Sequence, residues 1–274
     1  MENRDEITGK RLSRKGLKRV KPSGLVNLKN GVATVNAAGM HYRNLNALLK
    51  FVSSNSAEKI HICNVSGQRY IGTGLKGKVE LHIYGTPGND LAAFMDGPTI
   101  SVHGNTQDGV GNTMNSGKVV VYGRAGDIAG YSMRGGKIFI RDDAGYRMGI
   151  HMKEYGNQKP ILVVGGTAQH FLGEYMAGGI LVILGLTLKD GEGHKTKFVA
   201  TGMHGGIIYL RGEVAHTGKE VKIMKLEEGD MALLRPIIGD FCGYFKFDAD
   251  TLLAGEFRKL VPSSTRPYGR LYTY

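Results

Sequence analysis

Cysteine, tryptophan and proline are scarce in this sequence, and the shortage of cysteine argues against two kinds of site. Among 274 residues there are two cysteines, seven prolines and no tryptophan. Cys63 and Cys242 stand far apart without a CxxC spacing, which argues against a disulfide framework and against a zinc or iron–sulfur site built by this chain alone. The sequence also has no HExxH motif, no Ser nucleophile elbow and no clear Cys–His arrangement. We expect no catalytic, cofactor-binding or metal-binding residues in the chain, and no cofactor of its own.

Long apolar runs are also missing. No uncharged apolar stretch reaches the length of about 18 residues that a membrane-spanning helix needs. Four of the first six residues are charged, and the segment lacks the apolar stretch of a signal peptide. We therefore expect a cytoplasmic protein without contact to a membrane.

Acidic residues are too few to balance the basic ones, and the net charge is +12. Residues 1–30 hold nine Lys and Arg against three acids, with no interleaved aromatics and no DNA-binding motif. This composition predicts a basic arm that binds a protein partner, with nucleic acid as the less favoured alternative. The clustered basic residues are Arg11, Arg14, Lys15, Lys18, Arg19 and Lys21.

Glycine, in contrast, is abundant, with 42 residues, and many of them belong to a repeat of about 20 residues. Each unit has a small residue, a Met three positions later, a turn glycine and a β-branched strand. This period predicts a single-stranded right-handed parallel β-helix, a solenoid of about seven coils, in which the Met side chains stack inward. The Met positions are Met95, Met114, Met133, Met152, Met176 and Met203, with Leu75 in a degenerate first unit. The small residues are Ala92, Gly111, Gly130, Gly149, Gly173 and Ala200.

Flanking segments complete the predicted architecture. Before the repeats we expect a strand at 31–36, a helix at 42–53 with Leu45, Leu48, Leu49 and Val52 on one face, and a strand at 60–65. After them, Asp250 is a plausible N-cap of a helix that carries Leu253, Phe257 and Leu260 on one face and ends at Pro262. The tail at 266–274 would cover an end of the solenoid. The predicted domains are an arm and helix (1–59), the β-helix (60–240) and a C-terminal cap (241–274).

Two units are longer than the others. The spacing grows to 24 residues between Met152 and Met176, and to 27 between Met176 and Met203. The inserted segments, 153–160 and 189–195, are predicted to be loops that face a partner, and whether they line a channel is left open.

Two glycine-rich segments imitate nucleotide-binding motifs. Residues 72–77 match GxGxxG, and residues 111–118 resemble a phosphate loop with one residue too many. A nucleotide site needs a helix after the glycines, whereas both segments precede strand-like sequence. We interpret both as part of the repeat.

Several polar residues recur at the repeat spacing. Asp90, Asp108 and Asp127 should stack at one corner, where each would cap backbone amides of its own turn; a bound cation or a basic partner is the alternative. The pairs His82/His103 and His151/His170 should also align, as an outcome of the repeat or, less favoured, as a metal site. Arg134, Arg147 and Lys153 could meet an anion, although solvated charge is the usual explanation.

Three of the repeat units carry a family resemblance. Residues 111–119 (Gly-Asn-Thr-Met-Asn-Ser-Gly-Lys-Val), 125–136 and 171–179 resemble the GXGXG β-helix domain at the C-terminal end of the glutamate synthase large subunit. The resemblance spans roughly residues 60–212. A subunit of formylmethanofuran dehydrogenase carries a similar β-helix.

This resemblance implies a structural subunit of a split glutamate synthase-type complex, in glutamate biosynthesis. In that family the β-helix holds together a glutaminase and an FMN and iron–sulfur synthase and supports ammonia channelling, so the cofactors would lie in partner subunits. The chain has Met1 and Glu2 where a glutaminase needs its cysteine. The alternatives are the β-helix subunit of a formylmethanofuran dehydrogenase-like complex and, in another class, a solitary carbohydrate-active β-helix enzyme.

Overall fold

A computed structural model describes residues 27–55 and 57–264 and places 12 strands and three helices in that part of the chain. The elements are β1 (Asn27–Lys29), β2 (Val32–Asn36), α1 (Tyr42–Ser54), β3 (Lys59–Ser66), β4 (Glu80–Thr86), β5 (Asp96–Val102), β6 (Ser116–Val121), β7 (Lys137–Ile140), β8 (Ile161–Val164), β9 (Ala177–Ile183), β10 (Gly205–Arg211), β11 (Val221–Met224), α2 (Glu228–Phe245), α3 (Ala249–Leu253) and β12 (Phe257–Pro262).

The strands from β2 to β10 pair in parallel, each with the next in sequence, as successive coils of a solenoid require. The predicted parallel β-solenoid is confirmed, with about six turns instead of seven. The sequence has seven repeat units, but the seven strands from β4 to β10 enclose only six complete turns between them. At the two ends the pairing becomes antiparallel, since β1 pairs with β2 and β12 with β10.

Apolar side chains fill the interior of every coil. All six repeat Met side chains are at most 1% exposed and belong to one continuous core cluster, as predicted. The small residue three positions earlier is needed for two reasons. Gly72 has a φ of +75°, in the left-handed region that favours glycine, and a Cβ there would lie 2.7 Å from Cδ1 of Ile100. The repeat thus places a flexible thioether inside the coil and a tight bend beside it.

A second apolar layer covers the outside of the sheet at its C-terminal half. Val120, Phe139, Val163, Val182 and Tyr209 lie in register on β6 to β10 and are all fully buried. They pack under α2, α3 and Phe257, and the α2 side chains of this layer are Leu234, Ile237, Ile238, Phe241 and Cys242. Strands that are buried on both faces read as continuous apolar runs, which is the pattern of Val119 to Val121.

A buried charged cluster fixes this layer to the solenoid. The Tyr209 hydroxyl donates to Asp230 Oδ1 at 2.6 Å, and Lys259 Nζ lies 2.9 Å from the same carboxylate. The Glu227 amide donates to Asp230 Oδ2 at 2.8 Å. Burial raises the pKa of Asp230, but the hydrogen bonds from Tyr209, Glu227 and Lys259 outweigh it, and the pKa lies below its usual value. The carboxylate is therefore charged, and it joins β10, α2 and β12.

The segments before the repeats agree with the sequence. The predicted helix is α1, in which Leu45, Leu49 and Val52 are buried and Leu48 is partly buried. The two predicted strands are β2 and β3.

The predicted helix after Asp250 is wrong. The helix α3 begins after Asp248, whose side chain accepts from the Thr251 amide, and it already ends at Leu253. Phe257 and Leu260 lie on β12, which pairs with the edge strand β10. Side chains three apart on a strand point to opposite faces, so Leu260 enters the solenoid core while Phe257 enters the outer layer. The free edge of β10 explains the preference for a strand, because an unpaired edge leaves its amides and carbonyls unsatisfied.

The basic arm at residues 11–21 and the tail at 266–274 lie outside the described residues. The division into domains 1–59, 60–240 and 241–274 stays a prediction; α2 runs across its second boundary. No helix in the described part of the chain is long and apolar enough to cross a bilayer.

Candidate functional site

The two glycine-rich segments lead into strands. Residues 72–77 precede β4 and residues 111–118 run into β6, so neither places a helix N-terminus over a phosphate. Gly111 is instead in the left-handed region, with the place of its missing Cβ taken by Ile138 of the next coil. These glycines serve the packing of the repeat.

The aspartate corner connects neighbouring coils. Asp108 Oδ1 accepts from the Asp127 amide at 2.9 Å, and Asp127 Oδ1 accepts from the Tyr146 amide at 2.9 Å. The expectation that each carboxylate caps its own turn is therefore wrong, because the capped amide lies in the following coil. Asp90 differs from both, since its Oδ1 accepts from the side chain of Asn112.

Asp143 belongs to a second series of such caps, which also join neighbouring coils. Its Oδ1 accepts from the Thr167 amide at 2.8 Å and from the Thr187 hydroxyl at 2.5 Å. Burial raises the pKa of Asp143, but these hydrogen bonds and the charge of Arg124 outweigh it, and the pKa lies below its usual value. Asn105 makes the equivalent bond to the Arg124 amide. The corner residues are thus used in joining coils.

Histidines line the outer face of β3 to β5, the part of the sheet that α2 leaves uncovered. His61 and His82 are in register, and the ring of His82 stacks on those of His61 and His103 at centroid distances of 5.1 and 5.4 Å. The predicted alignment of His82 with His103 is not exact, because the strand register pairs His82 with Ser101 and places His103 two residues further along, but the two rings still meet. Tyr84 and Tyr122 stack on either side of His103. The sequence analysis did not place His61 in this stack, because His61 lies before the first repeat unit.

Hydrogen bonds order this stack into a series. Glu80 Oε1 lies 2.9 Å from His82 Nε2, and His82 Nδ1 lies 3.1 Å from His103 Nε2. Partial burial raises the pKa of Glu80, but hydrogen bonds from Lys59 and His82 outweigh it, and the pKa lies below its usual value. The charged carboxylate then accepts from His82 Nε2–H, and His82 Nδ1 accepts from His103 Nε2–H. Burial and then the charge of His82 lower the pKa of His61 and of His103.

An open cavity of about 340 Å³ adjoins this series where the C-terminal end of α2 meets the sheet. Its walls include Glu80, Thr99 and the Tyr244 ring, whose hydroxyl accepts from Lys118 at 2.9 Å. The arrangement can relay a proton along the sheet surface. Among the described residues, no group of three or more His, Cys, Asp or Glu side chains could hold a metal ion.

The second histidine pair is not brought together. His151 stacks on Tyr175, and His170 meets the edge of Tyr146. The predicted alignment of His151 with His170 is wrong because the segment at 153–160 lengthens the spacing of this coil from 19 to 24 residues, which places the two histidines in different columns.

The three basic residues near this segment have separate surroundings. The Arg147 Nε donates to Glu174 Oε2 at 2.9 Å, and its guanidinium lies 4.7 Å from the ring centroid of Phe171. The Nε of Arg134 is buried without a hydrogen-bond partner, and Lys153 is half-buried. Arg147 is thus occupied by an ion pair and a ring, which argues against a shared anion site.

The two inserted segments differ in structure. In 153–160, a turn pairs Tyr155 with Gln158 and leaves the Tyr155 ring exposed. In 189–195, His194 turns inward and its Nε2 donates to the Arg211 carbonyl at 3.0 Å. The second segment therefore contributes to the core of the last coils as well as to the surface.

Exposed and partly exposed aromatic rings follow one corner of the later coils, a feature that the sequence analysis did not predict. We call this surface the aromatic edge. In one column Phe171 stacks on Phe198 at 5.0 Å, and in the next His151 stacks on Tyr175 at 5.3 Å. These residues occupy the positions five and one before the Met of their units, and tabulating those positions would have revealed both columns. The members of the aromatic edge are Tyr131, Tyr146, His151, Phe171, Tyr175 and Phe198.

Three comparisons with known proteins agree with this architecture. A sequence model of the GXGXG motif family matches residues 44–266. A protein of Methanocaldococcus jannaschii, named only as uncharacterised, is 50% identical over 249 residues, which cover 87% of this chain and 95% of the relative. A chain in the crystal structure of the formyltransferase/hydrolase complex from Methylorubrum extorquens, solved with methylofuran, superposes with a TM-score of 0.57 at 18% identity, covering 74% of this chain and 72% of that chain.

Proposed function

This chain belongs to the GXGXG family, and from that premise we propose that it is a scaffolding subunit of a split glutamate synthase-type complex. In this role it holds a glutaminase subunit and a synthase subunit together and supports the transfer of ammonia between them. FMN and iron–sulfur clusters would be bound by the partner subunits. The chain itself would carry no catalytic, cofactor-binding or metal-binding residue.

The observation that most supports a scaffold is the filled interior. Buried apolar side chains fill the coils from Ala33 to Leu260 in one continuous cluster, with His194 as an ionisable group enclosed by the last coils. A solenoid packed in this way offers its outer faces, and a rigid rod of stacked coils can hold two partners at a fixed separation. The matched family also includes the β-helix domain that the sequence resembles.

A second candidate is the equivalent subunit in a formylmethanofuran dehydrogenase-like complex. The fold similarity to a chain of the formyltransferase/hydrolase complex supports this second candidate. In that case the partner enzyme would contain a molybdenum or tungsten pterin in place of FMN. Both candidates assign the chain the same scaffolding role, and they differ in the identity of the partner enzyme.

Purification of the chain from its native cells under gentle conditions tests both. The co-eluting proteins are identified and the absorption spectrum is recorded, with an untagged strain as the control. A glutaminase, a synthase and a flavin and iron–sulfur spectrum would support the first candidate. A pterin-containing molybdenum or tungsten enzyme would support the second, and a chain that elutes alone and colourless would contradict both.

A further inference from the structure

We propose that the aromatic edge is the surface on which a partner subunit docks, through a protein surface with apolar side chains and an acidic rim. This proposal rests on the scaffolding function and names the face that performs it. Phe198 and Tyr175 are 52% and 46% exposed, and large exposed aromatic surface on a folded protein marks an interaction site.

The backbone under the rings is strained. Phe171, Tyr175 and Phe198 have φ values of 63°, 53° and 58°, in the left-handed region that bulky side chains avoid. This conformation is unfavourable for each such residue. The repeat enforces this conformation, since Thr113 and Ser132 at the position of Tyr175 have φ values of 52° and 50°.

The repeat itself shows that rings are not required at these positions. Gly109 stands five residues before its Met, and Gly74 and Gly202 stand directly before the Met or Leu of their units. All three have positive φ values, so glycine fits the same turn without strain. Ring on ring packing and the contact of Arg147 with Phe171 return part of the strain energy, but Tyr175 and Phe198 still expose about half of their surface.

The charge around the aromatic edge is basic. Lys197 is exposed and Lys153 is half-buried, against the exposed carboxylate of Glu220. Arg147 is paired with Glu174, so this pair adds no net charge. Aromatic rings with neighbouring Arg are typical centres of protein interfaces. A partner with carboxylates around an apolar centre complements this surface, and opposite charge also speeds the encounter.

The test compares two variants that relieve the same strain at different places. Tyr175→Asn combined with Phe198→Asn removes two rings of the aromatic edge, and Asn tolerates the left-handed region. The matched control is Phe94→Asn, because Phe94 has the same backbone conformation with a φ of 55° and is 53% exposed but lies on an earlier coil, outside the aromatic edge. Both variants should melt no lower than the unmodified chain.

The readout is the dissociation constant of each chain for the partner subunits found in the native purification. We expect the double variant to bind roughly 30-fold more weakly or worse, as removal of hot-spot rings does, and Phe94→Asn to bind like the unmodified chain. Lys197→Glu, a surface change that leaves the turn intact, should weaken binding and reduce its dependence on salt.

Other outcomes overturn the proposal in separate ways. Unchanged binding by the double variant would remove the aromatic edge as the docking surface while the scaffolding function stands. An equal loss of binding in Phe94→Asn would show that the change of the turn, and not the loss of the aromatic edge, weakens binding. If the unmodified chain has no protein partner, or if nuclease treatment releases what it binds, the scaffolding function fails and the docking surface with it.

Discussion

At the scale of single residues, His194 is an ionisable side chain enclosed by the last coils. It is 5% exposed; Nε2 donates to the Arg211 carbonyl, and Nδ1 has no hydrogen-bond partner. Burial lowers the pKa of His194, and the hydrogen bond to Arg211 opposes this only in part. The ring is therefore neutral in the folded chain at neutral pH.

We expect the free energy of unfolding to fall as the pH decreases below about 6.5, the pKa of a solvated histidine. Between that value and the lowered pKa of His194, the unfolded chain binds more protons than the folded chain, so acid favours unfolding. Urea unfolding at a series of pH values measures this. His194→Gln should make the free energy of unfolding less dependent on pH. The pKa values of His61 and His103 are also lowered, so these two residues should account for the pH dependence that remains. An identical pH profile in His194→Gln would contradict the account.

The sequence predicts inward residues better than turn residues. The Met column and the small residues before it follow from a fixed period, because equivalent positions of stacked coils meet the same neighbours. The left-handed positions of Ile128 and Phe171 could not be predicted in this way. Residue preference disfavours that conformation in both, and only pairing with adjacent coils enforces it.

At the scale of elements, the helix α2 is the main feature that the sequence analysis overlooked. Its buried residues have helical spacing, from Leu234 through Ile237 and Ile238 to Phe241 and Cys242, so the signal was present. Pro236 and three glycines inside the helix lower its intrinsic propensity. Burial of the helix against the sheet outweighs that cost. Helix propensity alone does not reveal the apolar outer face of β6 to β10 that α2 covers.

The cluster around Asp230 makes a second prediction at this scale. Asp230→Asn should lower the free energy of unfolding by about 3 kcal/mol, the lower end of the range for a buried pair, because it leaves the largely buried Lys259 ammonium without its counter-charge. Urea unfolding compares it with Asp250→Asn, which removes the exposed ion pair to Arg235 and should cost no more than about 1 kcal/mol. Equal losses in the two variants would show that the Asp230 cluster does not stabilise the outer layer.

At the scale of the whole molecule, the solenoid is protected at both ends and on part of one face. Strand β12 covers the edge of β10, and α2 covers the apolar row from Val120 to Tyr209. Without them, a parallel sheet edge and a large apolar face would be exposed together, and both promote association between chains.

A chain that ends at residue 212 should therefore aggregate under conditions in which the full chain keeps one defined size. Light scattering after size-exclusion chromatography measures both chains at equal concentration. A truncated chain that remains dispersed and folded by circular dichroism would show that β12 and the helices are dispensable for protection.

The caps at the corners have a direction. Asn105 accepts from the Arg124 amide, Asp108 from the Asp127 amide and Asp143 from the Thr167 amide, so in each bond the earlier coil supplies the acceptor and the later coil the donor. A completed coil thus presents a ready-made template to the residues that follow it. Because synthesis delivers the coils in that same order, the rod can grow from its first turns as the chain is made, in the manner of a crystal that extends from a seeded face.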